Sequence, residues 1–275
     1  MGRSDRKRIV LKVGSNVLTK ETDHISRGKI EDIGRQIVTL QDEYEFVIVS
    51  SGAIAVAKQF VNLESNGAAI NVKQALASIG QPHLMRVFQE SFRDLGLLTS
   101  QCLLSYSDFE REQSKKNIVN TINVLVANNY IPIINENDTV ATDEIQFGDN
   151  DKLAGLTAAL LKADLLVIAT NTNGICTKES VENNTYHTID EVDDIELLES
   201  EIVTKISTHG TGGMKSKIEA ARIAQTADIE TWVVNGVKDD FLIDVIQNKV
   251  SFTKINSENR VERKDNRGEV IEKYK

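Results

Sequence analysis

The chain has 275 residues, 40% hydrophobic and 27% charged, a composition that supports a sizeable core and excludes wholesale disorder. Its formal net charge of -9 excludes a general nucleic-acid or anionic-membrane binder, although a few lysines set among backbone amides can still hold a phosphate. Two cysteines, Cys102 and Cys176, stand without a CxxC pair or a nearby His cluster; they point to neither a structural zinc site nor a disulfide framework, and fit buried free thiols in a reducing compartment.

The N-terminal MGRSDRKR is polar and basic and runs straight into IVLKV. That run is too short for a signal-peptide core, and nothing later approaches a membrane span, so a cytoplasmic protein is expected. Residues 9–13 read as a first buried strand ending at Gly14. Ile30, Ile33, Ile37 and Leu40 recur at helical spacing and predict an amphipathic helix. Residues 46–49 form a second strand, followed by Ser50-Ser51-Gly52 and an alanine-rich helix start. Residues 71–95 read as helical, broken or kinked at Gly80-Gln81-Pro82. A strand is expected over 97–104, a helix around Ile118, Ile122 and Leu125, and a strand over 131–134. Residues 139–147 have the mixed polar pattern of an exposed hairpin. Strands over 164–170 and 230–234 flank a helix over 214–227. This alternation predicts a mostly parallel sheet covered by helices on both faces, with ligands beyond the carboxyl ends of its strands.

Three turns of small residues follow strands or precede helices: Gly14-Ser15-Asn16, Ser50-Ser51-Gly52 and His209-Gly210-Thr211-Gly212-Gly213. One alone is common turn chemistry. Three together point to phosphate, because glycine lets backbone N–H groups approach a ligand and helix N-termini favour anions. Met214-Lys215-Ser216-Lys217 follows the third turn, in the first turn of a predicted helix, where exposed cations oppose the dipole by roughly 0.3–1 kcal/mol each. Those lysines either serve an anion or form a solvated pair. The run is not a Walker A loop, since Met214 stands where glycine is required, nor a GxGxxG fingerprint. Lys12 interrupts an apolar strand; it either snorkels at a sheet edge or reaches into the ligand crevice, and its place two residues before a glycine favours the crevice. Asn135-Glu136-Asn137-Asp138 and Gly148-Asp149-Asn150-Asp151 suit turns and caps. They suit equally a site for a small zwitterion, with oxygens for its ammonium and amide donors for its carboxylates. An aspartate there can also hold the lysines in place or ligate Mg2+.

The segments VLKVGSNVLT (10–19), VSSGAIA (49–55), ASIGQ (77–81), PIINENDTVAT (132–142), FGDNDKLA (147–154) and GTGGMKSK (210–217) together resemble the glutamate 5-kinase branch of the amino-acid kinase family. The resemblance is collinear over about residues 8–255. It implies a three-layer αβα sandwich with a mostly parallel central sheet and one kinase domain over 8–255; the stretch 256–275, dominated by charge and with almost no apolar period, reads by itself as a poorly ordered charged tail or at most a frayed helix. It implies the reaction ATP + L-glutamate → ADP + L-glutamyl 5-phosphate, the first step of proline biosynthesis. ATP and Mg2+ are the implied cofactors, the metal ligands staying unassigned. Small-molecule substrates and a homo-oligomer, dimer or tetramer, are the implied partners, with no nucleic acid and no membrane. By the same resemblance Lys12 and Lys217 contact the transferring phosphoryl group and Asp151 organises the phosphate site. Ser51, Asp138 and Asn150 match glutamate-binding positions. Lys12, Thr170, Asn171, Thr211, Gly212, Gly213, Met214, Lys215, Ser216 and Lys217 match the nucleotide site. The chain departs from the family pattern at Asn171, where aspartate is usual, at Cys176, where tyrosine is common, and at Lys215, where serine is frequent. It is also too short for the RNA-modification-type (PUA) domain of many relatives, which implies the single-domain form.

Overall fold

The computed structural model describes residues 6–20, 24–63, 69–140, 150–177, 183, 185, 187–201 and 213–257. Among them eight strands form one sheet: β1 (Lys7–Val13), β2 (Tyr44–Ser50), β3 (Leu98–Leu104), β4 (Tyr130–Glu136), β5 (Leu165–Thr170), β6 (Glu191–Val192), β7 (Glu230–Asn235) and β8 (Thr253–Ile255), in the order β3-β4-β2-β1-β5-β7-β8-β6. Every neighbouring pair is parallel except β7 with β8. The helices are α1 (Ser15–Leu18), α2 (Arg27–Leu40), α3 (Ala53–Lys58), α4 (Ala69–Arg93), α5 (Glu112–Ala127), α6 (Asp151–Leu161), α7 (Ile195–Glu201), α8 (Met214–Thr226) and α9 (Phe241–Ile246), with a 3-10 turn over Tyr106–Phe109.

The layers follow from the two-residue period of the strands. In β1, Ile9, Leu11 and Val13 face a core built with α2, α4 and α9 through Ile30, Ile33, Leu84, Phe88 and Phe241. Val10 faces the opposite core, built with α5, α6 and α8 through Ile118, Ile122, Leu153, Ala158 and Ala220. Lys12 shares the parity of Val10 and therefore points to the α6–α8 side. From β1 the chain steps to β2 on one side, and β5 later returns to pair on the other. That reversal opens a crevice beyond the carboxyl ends of β1 and β5, where sheets of this kind place ligands.

Of the break or kink expected at Gly80-Gln81-Pro82, the break is absent: α4 runs through Pro82. An interior proline costs about 3 kcal/mol, and the burial of Leu84, Phe88 and Phe92 just beyond it, at roughly 1.5–3 kcal/mol each, outweighs that cost. Gly80 has a separate reason. A Cβ there would lie 1.8 Å from the Ala53 carbonyl oxygen, because α4 presses its backbone onto the first residue of α3. Gly80→Ala is expected to destabilise the fold by about 3 kcal/mol or more, read as a lowered midpoint in urea unfolding.

The helix around Ile118 and Ile122 buries Val126 as its third anchor, with Leu125 only partly covered. The predicted hairpin lies mostly outside the described residues, which omit 141–149, and most of the predicted tail lies outside them too. Asn256, expected to open that tail, is fully buried and donates to Glu191 and Asp193. It closes the fold.

Candidate active site

Three chain-distant elements end at one point. β1 brings Lys12 to the end of its strand, α6 opens with Asp151, and α8 places Lys217 in its first turn. The Lys12 Nζ lies 2.6 Å from Asp151 Oδ1 and the Lys217 Nζ 2.9 Å from Asp151 Oδ2. Ser216 Oγ lies 3.0 Å from the same Oδ2 and 2.8 Å from the Gly213 carbonyl, and its single hydrogen can serve either acceptor. The Asp151 side chain is 0% exposed, that of Lys12 4% and that of Lys217 9%. Among the described residues two ammoniums meet one carboxylate at a buried point, where charge acts on a ligand far more strongly than at the surface. Both flanking helices begin without a side-chain cap, at Asn150 for α6 and Gly213 for α8. Their first N–H groups add to the pull on an anion.

A second cluster adjoins the first across β2 and β4. The Asn150 Nδ2 donates to the Ser50 carbonyl at 2.6 Å and to Asn135 Oδ1 at 2.6 Å. Asn135 Nδ2 donates in turn to Gln81 Oε1 at 2.7 Å. Ser51, whose N–H donates to the Val13 carbonyl, is buried with no partner for its Oγ among the described residues. The chain turns there through Gly52 at φ 105, a left-handed conformation that favours glycine. Asp138 lies just past the end of β4, and burial pushes its carboxyl up to about 6 because desolvation disfavours the charged form.

Most of this sequence, residues 7–235, matches a model described as the amino acid kinase family. The chain belongs to the amino acid kinase family. It is 34% identical over 267 residues to a glutamate 5-kinase of Bacillus anthracis, covering 95% of this chain and 72% of that one. It is 38% identical over 243 residues to a glutamate 5-kinase of Alkaliphilus metalliredigens (strain QYMF), covering 88% and 92%. Among solved structures, carbamate kinase from Giardia lamblia bound to AMP-PNP superposes with a TM-score of 0.65 at 15% identity, covering 92% of this chain and 99% of that one. At that identity the likeness speaks for the amino acid kinase fold.

The three-layer fold expected of an amino acid kinase is therefore present, and so is the convergence of Lys12, Asp151 and Lys217. Asn150 directly precedes Asp151 and bonds the Ser50 carbonyl next to Ser51 at the end of β2, while Asp138 follows the end of β4. Thr170 ends β5 with Asn171 directly after it, exposed. Met214 and Ser216 open α8 half-buried, and Thr211 and Gly212 fall outside the described residues. Lys215 is exposed: two residues from Lys217 on a helix, it looks away from the cluster. Sequence reasoning left out Gln81 and the Ser50 carbonyl, and gave Asn135 no role of its own. The signal available was ASIGQ itself, a glutamine on the residue before a helix-interior proline.

Proposed function

We propose that this chain is a glutamate 5-kinase, transferring the γ-phosphoryl group of ATP to the side-chain carboxylate of L-glutamate on the route to proline. The observation that carries the reading is the buried Lys12–Asp151–Lys217 cluster in a chain 34% and 38% identical to glutamate 5-kinases along most of its length. A glutamate oxygen forms a bond to the γ-phosphorus while the bond from that phosphorus to the β,γ-bridging oxygen breaks and ADP leaves. The attacking carboxylate, with an ordinary pKa near ~4.3, is already ionised at neutral pH, so no general base is needed. The barrier lies in bringing two anions together and in aligning them. Lys12 and Lys217 supply charge at the migrating phosphoryl group, and Asp151 holds both ammoniums in place without moving a proton.

Thr170, Asn171, Thr211, Gly212 and Lys217 receive the nucleotide, with Gly213, Met214 and Ser216 beside the phosphates and the exposed Lys215 turned away from them. Ser51, Asn150 and Asp138 receive glutamate. Mg2+ fits the described residues poorly as a directly bound protein metal. They contain no cluster of three metal-ligating side chains, and Asp151 already meets a lysine with each oxygen. Mg2+ held mainly by ATP phosphates and water would neutralise phosphate charge without a dedicated protein cage. No described helix is long and apolar enough to cross a membrane.

The test is ADP release with Mg-ATP across glutamate, aspartate, N-acetylglutamate and carbamate, with hydroxylamine trapping any acyl phosphate as hydroxamate. Glutamate-dependent hydroxamate is expected; turnover with another acceptor and none with glutamate overturns the assignment. The pH profile adds a second check. With the Asp138 carboxyl at about 6, its charge is present above that pH and lost below it. If that charge receives the glutamate ammonium, KM for glutamate rises about tenfold per pH unit below 6, and Asp138→Asn abolishes that limb while raising KM at neutral pH.

A further inference from the structure

Building on the glutamate 5-kinase reading, we propose that a fixed chain of side-chain amides, Gln81–Asn135–Asn150, makes the acceptor site select amino acids that carry a free ammonium group. Amide orientation is usually ambiguous because oxygen and nitrogen look alike. Main-chain groups remove the ambiguity at both central residues. The Ser50 carbonyl can only accept, so the Asn150 atom 2.6 Å from it is nitrogen. The Glu136 N–H can only donate, so the Asn135 atom 2.9 Å from it is oxygen. That oxygen takes the second N–H of Asn150, and the remaining Asn135 nitrogen donates to Gln81 Oε1.

Both N–H groups of Asn150 are thus committed, and its amide has only the oxygen left to offer a ligand. Asn150 stands at the N-cap of α6 yet makes no capping bond, so its side chain has forgone the usual use of an asparagine in that place. An oxygen from Asn150 and a carboxylate from Asp138 are both acceptors. They suit an ammonium group and give a second carboxylate nothing. Gln81 holds the far end of the chain. Its Nε2 is buried without a partner among the described residues, a cost that an apolar side chain would avoid. What glutamine contributes in return is the Oε1 that steadies Asn135. Gly80, by letting α4 touch α3, brings it within reach. Gln81 is accordingly a positioning residue, acting on the ligand through Asn135 and Asn150.

The experiment compares glutamate with glutarate, the same dicarboxylate without the ammonium, as substrate and competitive inhibitor of the full chain. For the unaltered enzyme the glutarate Ki is expected to exceed the glutamate KM by at least about tenfold. Gln81→Met, which keeps the volume and removes the acceptor oxygen, is expected to lower kcat/KM for glutamate by at least about tenfold. The glutarate Ki and the KM for ATP then stay within about threefold, since neither involves the ammonium. Gln81→Glu retains an oxygen for Asn135 and is expected to recover most of the discrimination. Equal affinity for the two ligands in the unaltered enzyme overturns the proposal. So does a Gln81→Met enzyme in which both ligands weaken in parallel, or neither does. Absence of glutamate turnover in the unaltered enzyme overturns the functional reading itself, a different result from an active enzyme whose selectivity ignores Gln81.

Discussion

Lys217→Ala is expected to lower kcat for glutamate phosphorylation by about 10³-fold, the scale lost when a preorganised charge at a transferring group is removed. KM for glutamate should change little, because the lysine sits on the nucleotide side, and the fold should survive. Asp151 keeps Lys12 as a partner at 2.6 Å, so the truncation leaves no isolated buried charge. Steady-state kinetics with circular dichroism on the same sample decide the matter. Turnover within a factor of ten of the unaltered enzyme removes Lys217 from the chemistry. Lys215→Ala is the internal control. That lysine is exposed two residues away on the other side of the helix, and its loss should alter kcat by less than about threefold. A large effect there would mean that net charge at the start of α8 matters more than the buried placement of one ammonium.

Asp151→Asn should injure stability and activity together. The substitution preserves shape but leaves two buried ammoniums facing a neutral amide. Removing one partner of a buried ion pair costs about 3–5 kcal/mol, or roughly 10 °C in Tm for a chain of this size. Activity should fall by orders of magnitude, because the lysines lose the group that fixes their spacing. The informative experiment is the double variant Asp151→Asn with Lys217→Met. Taking away one ammonium relieves the repulsion, so Tm should recover by several degrees over Asp151→Asn alone while activity stays lost. Such non-additivity is what residues sharing one network produce. Additive losses in Tm would show that Asp151 and Lys217 do not act on each other.

Much of the architecture is legible in single segments. The apolar runs at 9–13, 46–49 and 131–134 are continuous because the strands are buried on both faces, and each appears as a strand. The odd–even rule within 9–13 already puts Lys12 with Val10, opposite Ile9 and Leu11. Helix α6 escapes the same kind of reading. Its stretch LAGLTAALL is apolar nearly all round, and in the structure it is buried on most sides, so it has no amphipathic period to detect. Lys29 shows the reverse. It lies in a helix whose apolar face is plain from sequence, yet it is fully buried. Its ammonium bonds Asp32 at 2.8 Å and the Lys238 carbonyl at 2.6 Å, a partner 209 positions away that no local pattern reveals.

The order of residues alone determines six of the eight described strands, the longer amphipathic helices, the faces they bury and the presence of lysines where lysines are costly. These depend on periods of two and 3.6 residues and on turn chemistry, which act within a dozen positions. Only the assembled fold decides which polar groups meet: that Lys217 rather than Lys215 joins Lys12, that Asp151 lies between them, and that Gln81 reaches Asn135 across 54 positions. A buried polar group must find a partner, and the partner is chosen by where packing of the apolar faces carries the backbone.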